Sequence, residues 1–520
     1  MDSKKGMKPM KKRVRQMEAA LLAAGICLGN TAVCTASEES ETASDWLYET
    51  VVSWEDAVII EAENGVLSGN CRVKSGKTSY VEGFQAEGDS VAIPITIKET
   101  GFYDIAVSSK NQGGYKENYL LVDGASIATF PTESKDAFAD SVVEYVYLEE
   151  GDHEITVSSY WGWICLDCIK VKPANQLSDA VYEIEPKLVN PEASDHAKRL
   201  MAYLCDIYGE KFLSGQYCDQ GPFGIENACI WKTTGGKFPA VLGLDMIEYS
   251  PSRVARGSEG KAVEYAKEYW EEYNGVVTMC WHWNAPEKYL TGTWYSGFYK
   301  DHADVNLVEI MNGEDPEGYD LLMSDIDAIA KELKVLADAD VPVLWRPLHE
   351  ASGGWFWWGA DGAEAYIWLY QTMYKKMTEE YGLNNLIWLW NGQDPEWYPG
   401  DEYVDIIGED IYPGERVYTA QTDVYRKAVR YGSEPKMVVL SENGCLFDPD
   451  LAVRDGAMWG FFCTWGGEFV TLNAGFNTIS EQYTEADMVK KVYESEYVIT
   501  RDELPDLKNY PLPEDTESAD

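Results

Sequence analysis

Two stretches decide how this chain is read: Trp345-Arg346-Pro347-Leu348-His349-Glu350 and Val438-Val439-Leu440-Ser441-Glu442-Asn443-Gly444. Each is a run of β-forming residues that closes on a glutamate and then a turn. A carboxylate at the end of a buried strand costs desolvation energy unless something compensates it. Two of them on different strands are the minimum equipment for cleaving a glycosidic bond. For either glutamate alone, a salt bridge in a loop is the ordinary alternative.

Outward from these two, strand-like apolar runs alternate with amphipathic helical stretches over residues 194–502. The runs cover 212–216, 240–245, 275–283, 341–350, 386–391, 404–412, 437–442 and 457–465, with helical periodicity at 319–337 and 363–381. This alternation predicts a (β/α)8 TIM barrel, in which chemistry sits at the C-terminal ends of the strands. The fourth and seventh strands of such a barrel lie nearly opposite, so Glu350 and Glu442 face each other across a gap. Alternation along a strand puts Arg346, Leu348 and Glu350 on one face, and Asp410 with Tyr412 on another. A buried arginine calls for a carboxylate partner.

Glycoside cleavage needs one protonated carboxyl and one ionised one. Glu350 is followed by Gly353-Gly354-Trp355-Phe356-Trp357-Trp358, an apolar wall that would keep a proton on it. Glu442 has Arg346, His349, Asn443 and Tyr412 as candidate partners. Of five histidines, His282 and His349 fall at strand ends, whereas His153, His196 and His302 fall in polar segments and read as solvated. A metal held by His282 and His349 would lack a third ligand, so hydrogen bonding to substrate or carboxylate is the expected role.

Residues 55–173 carry short strands separated by Gly-Asp, Thr-Gly and Asp-Gly turns, the pattern of an all-β sandwich (jelly-roll) domain of about 115 residues. A linker is expected over 174–193, a flexible acidic arm over 37–54 and an acidic tail over 503–520. Residues 1–36 begin with clustered Lys and Arg and continue as a small, apolar stretch from Ala19 to Ala36. That is the order of a signal peptide, implying a secreted, extracellular protein with no membrane attachment after cleavage. Cys27 and Cys34 belong to this leader. Nine of the eleven cysteines remain, an odd number, so at least one is free or pairs between chains. Cys165 and Cys168 have metal-type spacing, but no second such pair exists and a structural role is expected.

The 520-residue chain carries a formal charge of −45, from 88 acidic and 43 basic residues. Such a surface repels nucleic acid and anionic membranes and favours neutral ligands. Its 19 Trp and 34 Tyr suit stacking on the apolar faces of sugars.

The string Arg346-Pro347-Leu348-His349-Glu350-Ala351-Ser352-Gly353-Gly354-Trp355-Phe356-Trp357-Trp358-Gly359 resembles the acid/base region of glycoside hydrolase family 26. Supporting pieces follow in order: Trp281-His282-Trp283-Asn284-Ala285-Pro286, Gly408-Glu409-Asp410-Ile411-Tyr412-Pro413, Ser441-Glu442-Asn443-Gly444 and Thr464-Trp465-Gly466-Gly467. The resemblance implies a retaining, cofactor-independent endo-β-1,4-mannanase with Glu350 as acid/base and Glu442 as nucleophile. His349 and Tyr412 would orient Glu442, His282 would contact the sugar, and Trp355 and Trp465 would wall it. Mixed-linkage β-1,3-1,4-glucan and β-1,3-xylan are the alternative substrates, and a non-catalytic glycan-binding barrel is the alternative class.

The front domain resembles carbohydrate-binding module family 35, through Glu61-Ala62-Glu63, Gly88-Asp89, Gly101-Phe102-Tyr103, Val122-Asp123-Gly124 and Leu166-Asp167-Cys168-Ile169. That implies a structural calcium ion (Ca2+) on Glu61, Glu63 and Asp167, with solvent-facing acids as the alternative. Trp161 and Trp163 are candidates for a sugar platform, unless one of them is core. The expected partner is plant cell-wall polysaccharide of the mannan class, bound by a monomer.

Overall fold

The computed structural model describes residues 46–472 and 478–513, so the signal-peptide reading and most of the acidic arm lie outside the described residues. The chain divides into two compact units at Ser178/Asp179. None of the described helices is long and apolar enough to cross a membrane.

The first unit is built from two antiparallel sheets. Ser90–Ile97 shows why they face each other: its odd positions Val91, Ile93, Ile95 and Ile97 are buried and the alternate ones are not. They pack with Val107, Leu120, Phe130, Ile155, Val157, Leu166 and Ile169 from both sheets into one core. The expected sandwich is therefore present, with two corrections at its ends. Tyr48–Thr50, expected in a flexible arm, pairs with Gln176–Leu177, expected in a linker. Asn175 adds a side-chain bond to the Val52 N–H at 2.9 Å.

The second unit holds a closed parallel barrel of eight strands. They are β1 (Gly215–Tyr217), β2 (Val241–Asp245), β3 (Val276–Trp281), β4 (Val343–Pro347), β5 (Leu386–Trp390), β6 (Ile406–Ile411), β7 (Met437–Asn443) and β8 (Phe462–Thr464). Parallel strands covered by helices are buried on both faces, which is why β3, β4, β5 and β7 read as continuous apolar runs. The remainder of the expected linker and the start of the expected tail also pack on this unit. Asp405 accepts the Val189 N–H at 2.7 Å, Leu507 is fully buried, and the Tyr510 hydroxyl donates to Asp206 at 2.5 Å.

The fourth strand is shorter than the alternation predicted. It stops at Pro347, which has no N–H to continue the ladder. Leu348 and Glu350 then take left-handed backbone conformations, with φ of 52° and 53°. The placement of Glu350 therefore comes from a strained turn and not from strand parity; non-glycine residues in this region cost energy and concentrate at functional sites.

Candidate active site

At the C-terminal mouth of the barrel, Arg346 from β4 is completely buried. Its Nη1 donates to Asp410 and, at 3.3 Å, to Asn391; its Nη2 donates to Glu442 Oε2 at 2.6 Å and to the Tyr217 hydroxyl at 3.0 Å. The free oxygen of each carboxylate is also taken. Ser441 donates to Asp410 Oδ1 at 2.7 Å, and the Tyr412 hydroxyl donates to Glu442 Oε1. Two glycines make these approaches possible. A Cβ at Gly243 would lie 2.6 Å from the Tyr217 ring, and one at Gly408 would lie 2.5 Å from Ser441 Oγ.

Glu350 sits opposite. Its backbone N–H is held by Asn391, and its Oε2 accepts the Trp355 indole N–H at 2.9 Å. One oxygen each from Glu350, Asp410 and Glu442 lies within 4.8 Å of the others. Burial raises the Glu350 carboxyl well above its ordinary range, and the charges of Asp410 and Glu442 add to this against the pull of Arg346 and Trp355. A carboxyl that keeps its proton thus faces one that receives two donors, a pairing that can protonate a leaving oxygen on one side and supply a nucleophile on the other.

The histidines form a separate line along one side. His282 Nδ1 meets Asp245 Oδ2 at 2.7 Å, and His282 Nε2 meets His349 Nε2 at 3.2 Å. Burial pushes the Asp245 carboxyl up, but its contacts with His282 outweigh this and hold it below its ordinary value. Burial, then Arg346 and His282, depresses His349 well below the imidazole range, so it is neutral. His349 thus bonds to His282, while Tyr412 and Arg346 are the donors to Glu442; Asn443, another candidate partner, instead bonds the Cys445 carbonyl and Thr464. A different trio, Asp245, Cys280 and His282, comes together without His349. Both Asp245 oxygens are already committed to His282, and burial drives the Cys280 thiol well above its ordinary value.

Trp465 lies against Tyr217 and His282 at ring distances of 4.8 and 5.7 Å, and Trp355 is 39 % exposed at the rim. The contributions of Tyr217, Asp245, Asn391 and Ser441 escaped the sequence reading. Three of them end or follow a strand run, the one signal available, and Ser441 immediately precedes Glu442. His153 and His196 are not simply solvated: each pairs with a carboxylate, Asp123 and Asp340, and His302 accepts the Thr293 N–H.

In the first unit, Glu61 ends the strand Val58–Glu61 and Asp167 is an extra residue in Ile164–Pro173, where the register against Gly101–Asn111 slips between Leu166 and Cys168. Such a bulge re-aims a side chain. Asp167 and Glu61 titrate above their ordinary values, through burial first and then through neighbouring carboxylates. Glu63 Oε2 and Asp167 Oδ1 are buried without a hydrogen-bond partner. Mutually repelling carboxylates with orphaned oxygens fit a hard cation. Trp161 and Trp163 are each 48 % exposed, in a turn whose Tyr160 and Gly162 N–H groups bond Asn118, so neither is core. All nine described cysteines are free thiols.

Replacing Arg346 with Met should leave Asp410 and Glu442 buried beside each other with no counter-charge. A loss of about 3–5 kcal/mol in unfolding free energy is expected, because removing one partner strands a buried charge. Urea denaturation measures it; an unchanged midpoint would refute the central role of this guanidinium.

Known proteins share this architecture. The glycosyl hydrolase family 26 model matches residues 189–503, and the family 35 carbohydrate binding module model matches residues 58–174. The chain is 38 % identical over 456 residues to a mannan endo-1,4-β-mannosidase of Thermothelomyces thermophilus, covering 86 % of this chain and 90 % of that protein. It is 35 % identical over 459 residues to mannan endo-1,4-β-mannosidase B of Piromyces sp., covering 86 % and 77 %. Among solved structures, a GH26-CBM35 β-(1,4)-mannanase of Podospora anserina aligns with a TM-score of 0.61 at 34 % identity, over 87 % of this chain and 99 % of that one. A barrel with paired carboxylates at its mouth, matched over its whole length by one family model, belongs to glycoside hydrolase family 26.

Proposed function

We propose that the protein is a secreted, retaining endo-β-1,4-mannanase in which Glu442 is the nucleophile and Glu350 the acid/base. The observation that carries the mechanism is the approach of one Glu350 oxygen to within 4.8 Å of one Glu442 oxygen. Retaining enzymes hold their two carboxyl groups about 5–5.5 Å apart, whereas inverting enzymes need about 6.5–9.5 Å to admit a water. The choice of mannan is supported by the activity named for the relatives.

In the first step an oxygen of Glu442 bonds to the anomeric carbon while the glycosidic C–O bond breaks, and the Glu350 proton passes to the leaving oxygen. In the second, water attacks the anomeric carbon, gives a proton back to Glu350 and releases Glu442. Arg346 and Tyr412 orient Glu442, while Asp410 balances Arg346. His282, Trp355 and Trp465 line the sugar, with His349 holding His282.

Glu442→Ala should abolish mannan hydrolysis in a protein that still melts cooperatively. Glu350→Ala should cost most on poor leaving groups, which need the proton, and least on activated aryl mannosides. Hydrolysis of mannan, galactomannan, lichenan and xylan compared side by side tests specificity. Faster cleavage of lichenan than of mannan would redirect the substrate assignment, and inverted products by NMR would overturn the mechanism.

Glu350 must be protonated to act, so activity is lost as pH rises through its elevated pKa. The Trp355 N–H favours the ionised form and opposes that elevation. Trp355→Phe should therefore move the alkaline limb of kcat/KM to higher pH; a limb that stays in place or moves down would remove Glu350 from the acid role.

For the front unit we propose a calcium ion held by Glu61, Glu63 and Asp167, which would neutralise their repulsion, and a polysaccharide platform at Trp161 and Trp163. Chelation should lower the melting temperature of the wild-type module and leave Asp167→Ala unaffected. Trp161→Ala should weaken retention on immobilised mannan. Equal chelator response in both proteins, or unchanged retention, would dismiss the respective site.

A further inference from the structure

One buried carboxyl outside the mouth has no role in the chemistry above. Asp325 lies on the helix Pro316–Asp338, is 4 % exposed, and accepts the Trp283 indole N–H at 2.9 Å. Among the described residues no cation pairs with it, and burial pushes it up to about 7. A buried carboxyl facing a single neutral donor is a costly way to fill space in a core. Its effect is on the orientation of Trp283.

Trp283 is fully buried and stacks on Trp281 with ring centroids 4.3 Å apart. Its carbonyl accepts the Trp357 indole N–H at 2.7 Å, and its ring meets the Trp357 ring edge-on at 4.8 Å. Trp357 belongs to the loop that carries the acid. Within that loop, Trp358 donates to the His349 carbonyl and Trp355 donates to Glu350 itself, both at 2.9 Å. Three indoles thus pin a loop that leaves β4 through the left-handed residues Leu348 and Glu350. Of the three, the Trp357 bond is the one that leaves this loop, and through Trp283 it leads to Asp325.

We propose that Asp325 is a positioning residue for proton donation: it fixes Trp283, which anchors Trp357, and so sets the approach of Glu350 to the leaving oxygen. This rests on the reading of Glu350 as the acid. The test uses the full-length enzyme and two substrates, mannan and an aryl β-mannoside with a leaving group too good to need protonation.

Asp325→Leu removes the acceptor while keeping the branched heavy-atom skeleton, with methyl groups bulkier than the oxygens they replace. It should lower kcat/KM on mannan about tenfold, less than the roughly hundredfold that a 1 Å misplacement can cost, while kcat/KM on the aryl mannoside stays near wild type, because this ratio reports the departure of the leaving group and not the later attack of water, which also uses Glu350. Asp325→Asn keeps an oxygen that can accept the indole N–H and should restore the mannan rate. Trp357→Phe cuts the last link without touching Asp325 and should reproduce the Asp325→Leu pattern. Equal losses on both substrates, a wild-type mannan rate in Asp325→Leu, or failure of Asp325→Asn to rescue would overturn the proposal. Glu350→Gln is the control, read on kcat/KM: if it loses both substrates equally, the acid assignment falls and this inference with it, whereas selective loss in Glu350→Gln without selective loss in Asp325→Leu refutes this inference alone.

Discussion

The barrel mouth depends on one guanidinium. Arg346 is wholly buried and divides its donors between Asp410 and Glu442, with Tyr217 and Asn391 taking further bonds. Three carboxylates within 4.8 Å of one another would repel strongly in a low-dielectric site. Arg346 offsets the charge of the two on its side and leaves Glu350 on the other. The difference in environment between two chemically identical glutamates follows from which of them the cation touches.

The surroundings reinforce that asymmetry. Glu442 sits on β7 and receives its hydrogen bonds from fixed neighbours on β4 and just after β6. Glu350 sits on a turn and depends on aromatic packing for its position. Tyr299, Phe298 and Phe356 pack beside His282 and His349, giving that side an apolar lining. Burial raises the Glu350 carboxyl more than the Trp355 N–H lowers it. Glu442 is thus placed by charge-assisted hydrogen bonds, which are directional, whereas the exclusion of water that raises Glu350 is not.

The front unit shows the same economy with different parts. Its core comes from alternating apolar residues in two sheets, while its acidic cluster comes from a break in that regularity at Asp167. There the neighbour of the strand Ile164–Pro173 changes from Tyr80–Glu82 to Val58–Glu61. A strand junction is where a side chain can be turned out of the alternating pattern at least cost to the ladder.

Much of this was legible in the sequence. Eight apolar runs bounded by turns can bury themselves on both faces only as a parallel sheet covered by helices, and polar residues at their ends can lie only at the mouth. That reasoning needs local pattern and burial alone, so it identifies the barrel, Glu350 and Glu442. Partnerships across the barrel were beyond it. That Tyr217, Asn391 and Ser441 complete the arginine's environment, that Asp245 holds His282, and that His349 bonds to His282 all depend on distances between strands far apart in the chain. The end of β4 at Pro347 was equally hidden, because strand parity assumes a strand that continues. Local pattern determined which residues reach the site. Only closure of the barrel, by setting the depth and rotation of each strand, decided which of them touch and hence which glutamate keeps its proton.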